Sequence, residues 1–90
     1  MNKVALVVGG GQTLGAFLSE GLAKEGYDVV VADLNQESAV GTAKDIEGKY
    51  KVSTLGVKVD AANEDDVNKM MDAIKEKFGR VDLLVYSAGI

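Results

Sequence analysis

Apolar residues gather in four short runs, Val4 to Val8, Asp28 to Asp33, Leu55 to Asp60 and Val81 to Tyr86. Between the runs they recur instead at intervals of three and four. Leu14, Leu18 and Leu22, with Phe17, form one such stripe; Ala39, Ala43 and Ile46, with Val40, form a second that Gly41 weakens. Val67, Met71, Ile74 and Phe78 form the third and clearest. Runs of the first kind predict strands and stripes of the second predict helices, in the order β-α-β-α-β-α-β. Gly26 stands where the first helix should stop. Asn63 opens the third, with Asp66 three residues on in the manner of a capping box, and Gly79 closes it.

The runs start roughly every 25 residues, a period that solenoids also use. The repeats share no sequence signature, however, and alternation of strand and helix at this length favours βαβ units. Val29-Val30-Val31-Ala32 is apolar at consecutive positions, the pattern of a parallel strand covered on both faces. Right-handed crossovers then give the strand order 3-2-1-4, with the first two helices on one face and the third on the other. No proline or low-complexity linker divides the chain, so residues 1–90 read as one Rossmann-type α/β portion, the front half of a doubly wound fold. Three helices cannot cover both faces of such a sheet. One face beside strands 1 to 3, and the outer edge of strand 4, are expected to be bare. That much apolar surface exceeds what a soluble monomer exposes, and predicts a longer parent protein or self-association as a homo-oligomer.

Composition narrows the classes without choosing among them. Ninety residues make one small domain, and 47% hydrophobic with 27% charged residues is ordinary for a soluble globular protein. No apolar run approaches the roughly 18 residues of a membrane span. Val4 to Val8 is too short for a signal-peptide core and runs directly into glycines. Without cysteine or histidine, a disulfide framework and a zinc site are both excluded, and a reducing cytoplasm fits. A net charge of −4 with scattered Lys and Arg argues against nucleic acid as a partner. Lys75, Lys77 and Arg80 near the end of the third helix, and Glu64, Asp65 and Asp66 at its start, complement the helix dipole.

Candidate chemistry begins where the first strand ends. It runs into Gly9-Gly10-Gly11-Gln12-Thr13-Leu14-Gly15, within which a helix starts. Glycine allows positive φ in a tight turn and lets the backbone approach a pyrophosphate, which the free N–H groups of the helix's first turn then face. Asp33 ends the second strand, about 20 residues beyond that turn, where a dinucleotide fold places an acid on the ribose hydroxyls. The same carboxylate would repel a 2′-phosphate, and no Arg or Lys lies between Gly9 and Gly15 or from Leu34 to Ser38. NAD is therefore expected over NADP; the competing role for Asp33 is a turn residue or a cap for the next helix. Asp60, with Ala61 beside it, is expected at the same carboxyl edge, either near an adenine amino group or capping the third helix. Ser87, Ala88 and Gly89 are small enough to let the cofactor's sugars approach the backbone after strand 4, whereas Tyr86 defaults to core or interface packing. The candidate cofactor-binding set is thus Gly9, Gly11, Gln12, Thr13, Leu14, Gly15, Asp33, Asp60, Ala61, Ser87, Ala88 and Gly89, with no metal site.

Taken together, Gly9-x-x-x-Thr13-x-Gly15, Asp33, Asp60, Phe78-Gly79-Arg80-Val81-Asp82 and Tyr86-Ser87-Ala88-Gly89 resemble the short-chain dehydrogenase/reductase family. The resemblance covers the whole chain and is densest at its two ends. Gly9 to Leu18 and Val81 to Ile90 are most similar to a branch that oxidises phosphorylated sugar alcohols, which implies NAD as cofactor and a sugar phosphate as substrate. Thr13 replaces the middle glycine of the family's turn, narrowing the phosphate approach while offering a hydroxyl. Tyr86-Ser87 replaces the family's Asn-Asn. Both departures are also similar to that branch. The family's catalytic Ser and Tyr-x-x-x-Lys lie past its fourth strand. Here Tyr27, Tyr50 and Tyr86 are followed four residues on by Val31, Thr54 and Ile90, so no tyrosine has the lysine that would lower its pKa. The expectation is the front part of an NAD-dependent dehydrogenase, without catalytic residues of its own. The alternative is a short, non-catalytic nucleotide-binding or self-associating module.

Overall fold

Side chains of β1 (Val4–Val8) and β2 (Asp28–Asp33) alternate between two apolar layers, and that alternation places every helix. The computed structural model describes residues 2–9, 11 and 13–87, the side chain of Thr13 apart. The remaining elements are α1 (Thr13–Lys24), α2 (Gln36–Tyr50), β3 (Thr54–Lys58), α3 (Glu64–Lys77) and β4 (Leu83–Tyr86). The strands form one parallel sheet in the order β3-β2-β1-β4, as the crossover rule requires. Val7, Val29 and Val31 pack with Ala23 of α1 and with Ala39, Ala43 and Ile46 of α2. Val4, Leu6, Val30 and Ala32 pack on the opposite face with Met70, Ile74 and Phe78 of α3. Burial of each such valine or leucine contributes about 1.5–3 kcal/mol, which makes these two layers the main source of stability.

The structure corrects three expectations. On α1 the buried positions are Gly15, Ser19 and Ala23, whereas Leu14 and Phe17 are 50% and 74% exposed and Leu18 and Leu22 half-buried. Small residues let the helix sit close to the sheet, and the leucines flank the contact. The Ser19 hydroxyl, fully buried, donates to the Gly15 carbonyl at 2.8 Å and so carries no unmet hydrogen bond. On α3 it is Met70, not Met71, that joins Ile74 and Phe78 in the core. The sheet face beside strands 1 to 3 is not bare either. To travel from β3 at one edge to β4 at the other, α3 must lie across β1 and β2, and Leu55 and Val57 of β3 are half-buried beside it. Besides Leu14 and Phe17, the exposed large apolar side chains among the described residues are Leu34, Met71, Val81 and, on β4, Leu84 and Tyr86. Leu84 and Tyr86, in register with Leu6 and Val8, are 61% and 64% exposed.

Strand ends follow from pairing. β3 stops at Lys58, the partner of Asp33, so Asp60 lies beyond the strand rather than ending it. β4 begins at Leu83, two residues after Val81. Just before it, Asp82 accepts the Val4 amide at 2.8 Å and binds the Arg80 guanidinium. Arg80, and after it the Val4 N–H, holds the Asp82 carboxyl below the usual carboxylate range. α2 opens at Asn35, whose side chain accepts from the Ser38 amide at 3.0 Å, and closes at Lys51 in the left-handed region at φ 56. Glu20 ties α1 to the end of α2 by accepting from Tyr50 at 2.8 Å and from Lys49 at 3.1 Å. The Tyr50 hydroxyl, then Lys49, pulls its carboxyl down.

Two measurements check this account. Lys51→Gly removes the Cβ from a left-handed cap and is expected to add about 1 kcal/mol, read as a higher urea midpoint. A lower midpoint would show that the Lys51 side chain, not its backbone, stabilises that corner. Because folding lowers the Asp82 pKa, its contribution is complete above the ordinary carboxylate value. It fades as pH falls through the folded one. The stability gap between the wild type and Asp82→Asn should therefore be widest near neutrality and close in acid; a gap that does not vary with pH would remove the charge from the explanation.

Candidate functional site

The carboxyl ends of β1, β2 and β4 bring together residues far apart in the chain. Gly9 follows β1 at φ 84, a conformation that side chains rarely adopt, and its amide donates to the Ala32 carbonyl at 2.6 Å. From the other side, the Ser87 amide donates to the Val8 carbonyl at 2.9 Å. The Ser87 hydroxyl lies 3.2 Å from both the Val8 and the Gly9 carbonyl oxygens, so it donates inward to the turn. The turn leads into α1, whose first residues place Leu14 half in solvent and Gly15 against the sheet. Gln12, Ala88 and Gly89 of the expected set lie outside the described residues, and of Thr13 only its place at the start of α1 is described.

Gly11 is held from three directions. Its amide donates to Asp33 Oδ2 at 3.1 Å, and its carbonyl accepts from the Thr42 hydroxyl at 3.1 Å. A Cβ on Gly11 would lie 2.9 Å from backbone atoms of Ser38 and Ala39, so only glycine fits against the first turn of α2. Asp33, half-buried at the end of β2, also accepts the Asn35 amide through Oδ1 at 3.0 Å. It is a turn residue, while Asn35 performs the capping of α2. A carboxylate offers about four acceptor positions, so the two amides leave capacity for ligand hydroxyls.

Asp60 and Ala61 stand at the same edge but belong to a separate turn. Asp60 is exposed; Oδ1 accepts the Ala62 amide at 3.0 Å, and its own amide donates to Asp66 Oδ2 at 3.1 Å. Asn63 caps α3 by accepting from the Asp66 amide at 3.1 Å. The Asp66 side chain thus reaches Asp60 rather than Asn63, and the capping box closes over a longer turn than expected. Ala61 borders a shallow apolar cavity of about 290 Å³, together with Val8, Val59, Val67, Leu84 and Tyr86. Sequence reasoning missed two residues here. Thr42 lies on a helix far from the glycine turn in the chain. Lys58 escaped because only pairing, Asp33 with Lys58, sets this cation beside the acid.

The fit for a dinucleotide rests on the turn itself: a positive-φ glycine, a second glycine with no room for a Cβ, and a carboxylate bonded to it. Gly11→Ala is expected to destabilise by roughly 1–3 kcal/mol, since Ser38 and Ala39 are backbone and cannot move aside cheaply. Unchanged stability would mean that α2 gives way.

Comparison with known proteins agrees with this geometry. The family described as short chain dehydrogenase matches residues 3–90. Sorbitol-6-phosphate 2-dehydrogenase of Escherichia coli (strain K12) is 53% identical over all of this chain, which spans 35% of that protein. The crystal structure of a sorbitol-6-phosphate 2-dehydrogenase from Erwinia amylovora superposes with a TM-score of 0.91 at 55% identity, covering 96% of this chain and 34% of that one. The L-sorbose reductase of Gluconobacter frateurii, solved with NADPH and L-sorbose, gives a TM-score of 0.93 at 31% identity, over 99% of this chain and 34% of its own. The chain spans about a third of the length of these relatives.

Proposed function

The chain belongs to the short-chain dehydrogenase family, and on that premise we propose that it is the NAD-binding portion of a dehydrogenase acting on sorbitol 6-phosphate. The observation that carries the cofactor assignment is the bond between the Gly11 amide and Asp33, which sets an acid against the glycine turn. The pyrophosphate would lie over Gly9, Gly11, Thr13, Leu14 and Gly15, facing the N–H groups of α1's first turn. Asp33 would accept from the adenosine ribose and oppose a 2′-phosphate, with Asp60 and Ala61 near the adenine and Ser87 holding the turn from β4. Gln12, Ala88 and Gly89 complete the proposed contact set.

Bound NAD supplies the hydride acceptor for converting an alcohol to a ketone, here sorbitol 6-phosphate to fructose 6-phosphate. The substrate rests on the likeness to sorbitol-6-phosphate 2-dehydrogenases. In this reading the proton-transfer groups, for which no tyrosine here has a lysine four residues on, are supplied by the remainder of a parent protein of the relatives' length. The exposed Leu84 and Tyr86 support burial of β4 against that remainder or against a second copy.

Titration with both dinucleotides tests the cofactor. NAD should bind more tightly than NADP, and Asp33→Ala should weaken NAD by roughly 10- to 100-fold while sparing NADP. Equal affinity of the wild type for the two would show that Lys58 offsets Asp33 and would remove the acid from this role. For the reaction, the full-length protein should form NADH from sorbitol 6-phosphate and NAD, and residues 1–90 alone should form none. Turnover by residues 1–90 would overturn the division of labour.

A further inference from the structure

Thr42 is a threonine inside a helix, where its hydroxyl ordinarily donates to the carbonyl one turn back. Here its described bond goes instead to Gly11, 31 residues away, at 3.1 Å. Both polar groups of the Gly11 backbone are thereby engaged by side chains from other elements, the amide by Asp33 of β2 and the carbonyl by Thr42 of α2. The Gly11 Cα meanwhile rests on the Ser38–Ala39 backbone of the same α2. The glycine turn is therefore anchored to α2 through one hydroxyl and one backbone contact, and Asp33 is oriented by the amide of the same residue whose carbonyl Thr42 holds.

We propose that Thr42 is a positioning residue for the dinucleotide: by holding the Gly11 carbonyl it keeps the turn in its receptive shape and keeps the Asp33 carboxylate aimed for an unphosphorylated ribose. The inference rests on the cofactor reading above. Preorganisation is its physical content. A turn that must find its shape on binding loses affinity, and a carboxylate whose amide partner wanders discriminates less between the two dinucleotides.

Thr42→Val removes the hydroxyl at nearly constant shape and helix propensity, and Thr42→Ser keeps it. In the full-length protein, Thr42→Val should raise the NAD Kd by roughly 3- to 10-fold and lower the NAD-to-NADP affinity ratio, the size expected for one hydrogen bond. Thr42→Ser should stay within about two-fold of the wild type. Should the valine variant not fold, Thr42→Ala provides the second hydroxyl-free comparison. A drop in urea midpoint with Kd and ratio unchanged would overturn the inference, as would a serine variant as weak as valine; both leave the cofactor reading standing. If the wild type binds neither dinucleotide, the cofactor reading fails and this inference with it.

Discussion

Backbone-to-backbone contact at the first turn of α2 is the constraint on which the rest of the structure depends. Ser38, Ala39 and Val40 lie against Gly11 on one side and Gly56 of β3 on the other; a Cβ on Gly56 would stand 2.7 Å from the Ala39 carbonyl oxygen and the Val40 Cα. Two glycines from different segments thus let one helix turn touch both the glycine loop and the sheet. Helix α2 is fixed over β2 and β3 by this approach, with Ala39, Ala43 and Ile46 completing the layer over Val29 and Val31. Side chains larger than alanine at the first of these contacts would lift the helix and pull the loop with it. The position of the proposed phosphate site is therefore a consequence of core packing, not an addition to it.

Polar groups at the carboxyl edge show how closely that packing is followed. Among the described residues no buried side-chain nitrogen or oxygen lacks a partner. Thr54, buried under α2, donates to the Ala43 carbonyl at 3.0 Å, and Ser19 satisfies itself on its own helix. Ser87 serves the Val8 and Gly9 carbonyls from just past β4, while Asp33 serves Gly11 and Asn35 from β2. Unmet buried groups would each cost about 1–3 kcal/mol in a domain with little stability to spare. The turn is consequently held by neighbours on both sides of β1 before any ligand arrives.

Local chemistry was legible in the sequence and contact geometry was not. The strand order, the sides taken by the helices, the Asn63 cap and the ends of β1 and β2 follow from periodicity, capping residues and handedness, each of which acts over a few residues or as a topological rule. The buried stripe of α1 differs from the apolar one because hydrophobicity ranks Leu14 and Phe17 above Gly15 and Ser19, while a helix lying close to a sheet selects for smallness. The expectation of a bare face beside strands 1 to 3 fails for a related reason. Counting helices against strands ignores that α3, leading from β3 at one edge to β4 at the other, packs over β1 and β2 on the way. Of the candidate site, spacing brings forward Gly9, Gly11 and Asp33, which the structure places together at one sheet edge. It does not reach Thr42 and Lys58, because helix packing places the first and strand register the second.

Asp33 shows why the structural and functional readings of one residue need not compete. As a turn residue it bonds Asn35 two positions on, and Asn35 then caps α2, so the acid is free of the capping role. Its other oxygen reaches across to Gly11. A carboxylate so engaged is oriented, and orientation is what discrimination between a hydroxyl and a phosphate requires, because repulsion from a freely rotating acid can be relieved by rotation. The bonds that make Asp33 structural are the same bonds that would make it selective. Lys58, the register partner of Asp33, adds a cation at this edge, so any selectivity here would draw on the fixed direction of the carboxylate as well as on its charge.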